Sequence, residues 1–268
     1  MSKNSGIRKF VAAFDLHFGW EYRWEKGRRV VSATHSLPAI AALMQFVKDF
    51  RPNVFILGGD QLNCGPVSHW HKGRPRLDEN FRLKDEMDLL DKYILQPLDT
   101  YPELTEKVWH NANHEKWLQD FIDENSGIEG LIEPENYLAL KSRGWKILSQ
   151  GEIYKLGKLH TVHGDVLKPG KNRAQKLVGD YRRNIRCGHF HTYEVATDVT
   201  PYDRSDFHTG IVVPAMAKVN AAYMKNGPSN HQQGFLYGWV APDGSFTDHV
   251  MTIVKGKFLW NGKIYGDK

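Results

Sequence analysis

Five short blocks bearing histidine and acid run through this chain in a fixed order. They are Asp15-Leu16-His17, Gly58-Gly59-Asp60, Asn113-His114-Glu115, His163-Gly164-Asp165 and Gly188-His189-Phe190-His191. Each stands at, or just after, the end of an apolar run that reads as a β-strand. Segments this far apart share chemistry only if their strand ends meet. Open α/β sheets arrange that at the carboxyl edge of their strands. The blocks therefore call for an α/β fold with converging strand ends. Together they offer nitrogen and oxygen donors enough for two metal ions, which makes a metal-dependent hydrolase the first reading.

The stretches between the blocks fit such a fold. Residues 7–14 read as a buried strand delivering Asp15 and His17, and 19–29 as a loop or ribbon. A helix follows, with Ser36 as N-cap and Pro38 in the first turn. Ile40, Leu43, Met44, Phe46 and Val47 form its apolar stripe, and Pro52 stops it. Strands are expected at 54–57 and 107–109, with a charged helix over 78–95 between them. A further helix places Trp117, Leu118, Phe121 and Ile122 on one face. Beyond Trp145, apolar runs at 146–148, 153–156, 159–162, 185–187, 193–199 and 207–213 predict a mostly β half, with a basic helix or loop over 171–181. The chain closes in hairpins: 235–240 with 250–254 around Pro242-Asp243-Gly244, then 258–260 with 263–265 around Asn261-Gly262. No repeat or linker divides it. One domain over 1–268 is expected, a βα-rich half (1–144) against a β-rich half (145–268), with the site between them.

Composition sets limits. At 41% apolar, 12% aromatic and 25% charged, the chain can build a real core. No run approaches the ~20 apolar residues of a membrane span, and 1–9 lack the apolar centre of a secretory signal. No membrane partner is expected. Cys64 and Cys187 are the only cysteines and lie far apart, which points away from a disulfide framework and toward a reducing, cytoplasmic setting. The net charge of +5 is short of the dense basic face of a dedicated nucleic-acid binder. It suits an anionic substrate such as a phosphate ester.

The candidate ligands are Asp15, His17, Asp60, Asn113, His163, His189 and His191. This set of nitrogen and oxygen donors suits manganese, iron, zinc or nickel, with manganese the first choice, and asks for no thiolate. Two divalent ions about 3.5–4 Å apart can activate a water, hold a phosphoryl oxygen and neutralise transition-state charge. One carboxylate must bridge them, and Asp60, central in the order, is the natural candidate. Any single block is weak evidence, since an isolated Gly-Gly-Asp is usually a turn. Their joint occurrence in order at strand ends is what carries weight.

These blocks resemble the signature of the calcineurin-like metallophosphoesterase superfamily, which includes protein phosphatases, cyclic-nucleotide phosphodiesterases and the Mre11/SbcD nucleases. That signature runs D-x-H, G-D-x-x-D, G-N-H-[DE], a His followed by Gly and a polar residue, and G-H-x-H. The match spans Asp15 to His191. The resemblance implies a four-layer αββα sandwich, two mixed β-sheets flanked by helices, with a dinuclear site at the strand ends. It implies that Asp15, His17, Asp60 and His191 hold one ion, and that Asp60, Asn113, His163 and His189 hold the other. His114 would stand near the phosphate, steadying it or protonating the leaving oxygen, and Glu115 would orient that imidazole. The reaction implied is phosphoester hydrolysis by a hydroxide that the two metals activate. Two positions depart from the signature: Asn63 replaces its second Asp, and Ala112 stands in place of Gly.

Around the blocks lie further candidates. Trp20, Tyr22 and Trp24 alternate along one segment close to Arg28 and Arg29, as aromatic side chains do where they stack bases; a packed hydrophobic hairpin is the alternative. His69 and His71, with Lys72, Arg74 and Arg76, could contact the phosphate or a flanking nucleotide, or form a solvated loop. Between His163 and His189 stand Lys168, Lys171, Arg173, Lys176, Arg182, Arg183 and Arg186 against only Asp165 and Asp180. Lys168 and Arg173 are the substrate contacts expected from this basic stretch. His35, His110, His160, His208, His231 and His249 read as packing or surface residues. The expectation is a phosphodiesterase or nuclease acting on DNA, RNA or nucleotides. The alternatives are a phosphomonoesterase for phosphoproteins or small metabolites, or a non-catalytic metal-binding scaffold.

Overall fold

A computed structural model describes residues 6–73, 80–168, 170–219 and 229–266, with 204–206 described by their backbone alone. In chain order its strands are β1 (Arg8–Ala13), β2 (Trp20–Glu25), β3 (Arg28–Ala33), β4 (Val54–Leu57), β5 (Glu106–His110), β6 (Trp145–Leu148), β7 (Tyr154–Leu156), β8 (Leu159–Thr161), β9 (Asn184–Cys187), β10 (Glu194–Thr200), β11 (Asp203–Val212), β12 (Gln233–Val240), β13 (Phe246–Ile253), β14 (Phe258–Trp260) and β15 (Lys263–Tyr265). The helices are α1 (Leu37–Phe50), α2 (Leu83–Leu90), α3 (Gln96–Asp99), α4 (Asn113–Glu124), α5 (Pro134–Tyr137) and α6 (Arg173–Tyr181).

Two mixed sheets form the α/β body. The first has six strands in the order β13-β12-β1-β4-β5-β6. Its centre, β1-β4-β5-β6, is parallel; β12 runs antiparallel to β1, and β13 antiparallel to β12. The second has five strands in the order β10-β11-β9-β8-β7, with β8, β9 and β11 parallel to one another. Parallel strands covered on both faces need apolar side chains throughout, and Val54-Phe55-Ile56-Leu57 is buried at every position. The six-stranded sheet draws on both sides of residue 145: β6, β12 and β13 all join β1, β4 and β5. Short apolar strands carry no mark of which sheet will receive them.

Three apolar clusters show what lies against what. One joins α1, α2 and α4 to a face of the six-stranded sheet, through residues such as Ile40, Phe46, Phe55, Leu90, Leu118 and Phe235. A second draws on both sheets, with Phe10, Phe14, Val54, Ile56 and Leu236 against Leu156, Leu159, Ile211 and Val213. The third sets Ala174 and Leu177 of α6 against Ile185, Cys187 and Val212. A buried ion pair also ties the sheets together. Arg186 of β9 donates from Nε and Nη2 to Asp248 of β13, the latter at 3.0 Å, and from Nη1 to the Thr209 carbonyl at 2.6 Å.

Local signals set several element ends. α1 starts after Ser36 with Pro38 in its first turn, and stops where Arg51 turns left-handed (φ 52°) ahead of Pro52. The charged helix begins later than expected, at Leu83, and widens into a π-helical segment, Asp91–Leu95, before α3. Residues 78 and 79 lie outside the described residues. The basic stretch after His163 does form a helix, α6. Among the described residues, no helix is long and apolar enough to cross a membrane.

Candidate metal centre

The carboxyl ends of β1, β4 and β5 lie side by side because these strands are parallel neighbours. β8 and β9 are likewise parallel neighbours in the other sheet. The two edges are stitched together. His163 Nδ1 lies 2.9 Å from the Gly58 carbonyl, the His189 N–H donates to Asp15 Oδ2 at 2.8 Å, and the Met216 N–H donates to the Phe14 carbonyl at 2.9 Å. Blocks more than a hundred residues apart thus meet in one place.

Ring nitrogens and carboxylate oxygens converge there. Asp15, His17 and His191 form one group and Asp60, His163 and His189 another, each with ligand atoms within 4.8 Å of one another; His17, Asp60 and His114 form a third that joins them. His163 Nε2 is 3.2 Å from Asp60 Oδ2, His191 Nε2 is 3.3 Å from Asp15 Oδ1, and His17 Nε2 is 4.0 Å from Asp60 Oδ2. Asn113 opens α4, and its buried Oδ1 has no hydrogen-bond partner among the described residues; the same holds for Asp15 Oδ1 and His163 Nε2. Buried polar atoms are ordinarily satisfied. Carboxylate oxygens and imidazole nitrogens that converge in this way are a donor set that divalent cations complete. The clusters could hold metal ions.

The backbone here is unusual. Asp15 (φ 52°), His17 (47°), Asp60 (52°), His189 (66°) and His191 (57°) all adopt the left-handed region, which non-glycine residues seldom enter. The glycines between them answer to close approach. A Cβ on Gly59 (φ 105°) would fall 2.3 Å from His163 Nδ1, and one on Gly188 would fall 2.3 Å from Asp15 Oδ2. Ala112 needs no glycine, since its φ of −137° is extended and its methyl is buried.

Charge interactions shift the titration of the cluster. Burial opposes ionisation of Asp15, but His191 and then His163 outweigh it and bring the carboxyl down to about 2. Asp60 is held well below the usual carboxylate range in the same way, by His163 and His114 against burial. Burial also resists the charging of His163, and Asp60 and Asp15 overcome it, lifting the imidazole to about 10. The rings of His17, His114 and His189 are pushed down, first by burial.

Glu115 does not do what was expected of it. His114 Nδ1 lies 2.7 Å from the backbone carbonyl of Asn63, which fixes the ring without any carboxylate. The Glu115 carboxylate instead accepts backbone N–H groups from Asp60 (3.2 Å), Gln61 (2.9 Å), Leu62 (3.3 Å) and Ala112 (3.2 Å). It clamps the Asp60 turn to the start of α4, because buried backbone N–H groups need acceptors and the two oxygens of one carboxyl can accept several at once. Burial and then Asp60 push this carboxyl up to about 8, while His163 and then the N–H donors pull it the other way. Since Asn63 acts through its main chain, replacing Asp by Asn there leaves the His114 contact in place.

The outlying candidates have mixed placements. Trp20 and Tyr22 stack on Phe81 (6.2 and 4.8 Å between centroids), as a packed ribbon does, while Trp24 is 73% exposed near the Lys26-Gly27 turn. His71 Nδ1 lies 3.1 Å from the Gly65 carbonyl. His69 meets the ring of Trp117 edge-on at 5.4 Å. Arg74, with Arg76, lies outside the described residues. Lys168 is exposed. Arg173 pairs with Glu194 and covers the ring of Phe190 at 4.9 Å. Cys64 and Cys187 are buried free thiols pushed up by burial.

Two neighbours of the cluster lie outside the set expected from the sequence. Trp117 lies against His114 at 3.9 Å between centroids, and their i, i+3 spacing on α4 could have signalled that. His231, read from the sequence as a packing or surface residue, sets its ring 4.8 Å from that of His191, and nothing local in its sequence announces this. His110 does pack, with Nε2 3.0 Å from Thr161 Oγ1, and His35 stacks on Phe18 at 5.1 Å.

The chain matches no family model and no curated protein. Among solved structures it is similar to a 5′-nucleotidase precursor from Thermus thermophilus, at 12% identity and a TM-score of 0.38, over 92% of this chain and 54% of the other. The chain thus spans about half the length of that protein. A second solved structure is similar at 11% identity and a TM-score of 0.32, over 91% of this chain and 99% of the other. Likenesses this distant carry no functional argument, and only the residues of the cluster can supply one.

Proposed function

We propose that this protein is a metal-dependent phosphoester hydrolase. One observation carries the reading: Asp15, His17, Asp60, His163, His189 and His191, drawn from the ends of β1, β4, β8 and β9, turn their donor atoms on one another in a largely buried cluster. In this reading Asp15, His17, Asp60 and His191 hold one ion, and Asp60, Asn113, His163 and His189 the other. Manganese is the metal proposed for both. Such ions, when bound, supply Lewis-acid charge neutralisation and a nucleophile at neutral pH. The chain's own residues do the rest. Asp60 faces both groups. His114, its Nε2 3.8 Å from Asp60 Oδ2 and its Nδ1 held by Asn63, is the group placed to steady the phosphoryl oxygen or hand a proton to the leaving oxygen. Glu115 keeps the Asp60 turn and the His114 helix in register. The layered fold proposed with this site is the αββα sandwich, supported by the three apolar clusters.

Within that class we favour a phosphodiesterase or nuclease. Lys168, Lys171, Lys176, Arg182 and Arg183 are exposed along and beside α6. A cleft of about 610 Å³ beside α6 is lined by Lys171, Arg173, Glu194 and Asn230, and Arg173 reaches over the ring of Phe190, which separates His189 from His191. Basic side chains flanking such a site suit a polyanion. A monoesterase is the second reading, favoured by the engagement of Arg186 with Asp248 and of Arg173 with Glu194. The test is hydrolysis of bis(p-nitrophenyl) phosphate, p-nitrophenyl phosphate and single- and double-stranded DNA with added manganese. Cleavage of the monoester alone would remove the nuclease. No cleavage of any ester by protein that demonstrably holds metal would remove the hydrolase.

A further inference from the structure

A run of rings leads away from His114 toward solvent. The His114 imidazole lies against the Trp117 indole, 3.9 Å between centroids and tilted by 36°. Trp117 meets His69 edge-on at 5.4 Å, and His69 lies against Trp70 at 4.5 Å. The inner end is anchored: His114 also contacts the edge of the His17 ring at 4.5 Å. The outer end is open, with Trp70 68% exposed. Ordinary packing explains part of this, because Lys72 pairs with Glu124 and so holds the 69–73 turn over α4. It does not explain two solvent-facing rings, Trp70 and His69, joined through Trp117 to the half-buried imidazole of His114 at the rim of the cluster. Of the other candidate stacking residues, Trp20 and Tyr22 are already stacked against Phe81, while Trp24 is exposed on the β2–β3 ribbon.

We infer that Trp70, His69 and Trp117 form a stacking subsite for the planar aromatic part of a phosphoester, a nucleobase or an aryl group, whose phosphate lies at His114. This rests on the hydrolase reading for the position of the phosphate, and it adds the class of group attached. An exposed indole offers a large apolar face at little entropic cost, and every base has a π-face to meet it. Stacking needs no base-specific hydrogen bonds, so the subsite selects planar over saturated groups rather than one base over another.

The test compares two ligands that differ only in the base, titrated by calorimetry into the full chain with manganese present. Adenosine 5′-monophosphate is expected to bind about tenfold more tightly than ribose 5-phosphate. Trp70→Ala should bring that ratio close to one, and Trp117→Phe, which keeps a ring against His114, should preserve most of it. Because Trp70 is largely exposed, its replacement leaves the fold intact, which circular dichroism checks. Equal affinity for the two ligands in the natural chain, or a ratio that Trp70→Ala does not move, overturns the subsite. Turnover is scored separately. A preserved ratio in protein that cleaves no ester supports the subsite and removes the hydrolase; turnover with a ratio near one removes only the subsite.

Discussion

Two buried regions of this molecule are built on opposite principles. On the outer face of the six-stranded sheet, Phe46 of α1 is ringed by Phe50, Phe235, Tyr237, Phe258, Trp260 and Tyr265, all within 6.0 Å between centroids. That region buries rings in relaxed helix and strand backbone and needs nothing from outside the chain. At the carboxyl edge of the strands, Asp15, Asp60 and His163 are as deeply buried, yet their polar atoms face one another across left-handed backbone. Each such backbone position costs on the order of 1–3 kcal/mol, and burying charge costs more unless it is compensated. The first region stabilises the fold. The second consumes stability, and it makes physical sense as a place reserved for cations.

The largest expected effect lies at Asp60, the carboxylate proposed to be shared. Asp60→Asn should lower phosphoesterase activity by more than about 100-fold, beyond what the loss of a supporting residue costs a metal site. It should also cut bound metal to one ion or fewer per chain by elemental analysis. Two ions retained by this variant would end the claim that Asp60 joins the groups. Phe46→Ala is the mirror experiment. It should cost about 3–5 kcal/mol in urea denaturation while leaving metal content unchanged, and loss of metal there would show that the two regions are not separable.

Smaller effects sharpen the contrast. Glu115→Gln keeps the size of the side chain but sets an amide NH2 among backbone donors. It should cost about 1–3 kcal/mol and lower kcat, and an unaltered kcat would show that the clamp does not serve Asp60. The pH dependence of metal-stripped protein is the finest probe. The imidazole of His163 rises from 6.5 to about 10 on folding, so its contribution to stability is whole below pH 6.5 and is lost as pH climbs through about 10. The thermal midpoint of the chelator-treated protein should fall over that window, and less steeply in His163→Ala. With manganese bound, this part of the slope should shrink, because a cation takes the place of the proton.

Much of the scaffold could be read locally. Ser36, Pro38 and Pro52 mark out α1, and Val54-Phe55-Ile56-Leu57 announces a buried strand. The candidate donors could be picked out because their residue types recur right after such runs. Other features could not. Nothing in Glu115 says that it will accept N–H groups from the Asp60 turn rather than steady His114, since those partners lie over fifty residues upstream. Arg186 reads as one more charge in a basic stretch until β13 brings Asp248 to it.

What the amino-acid order determined by itself was the chemistry on offer and its local setting: oxygen and imidazole donors placed where strands end, because strand periodicity and turn chemistry act over a few residues. What only the tertiary structure decided was company. β6, β12 and β13 joined the first sheet, His231 came to rest beside His191, and Trp117 with His69 and Trp70 formed a line of rings leading out from His114. Such pairings follow from how whole faces bury one another, and no short stretch of sequence contains that information.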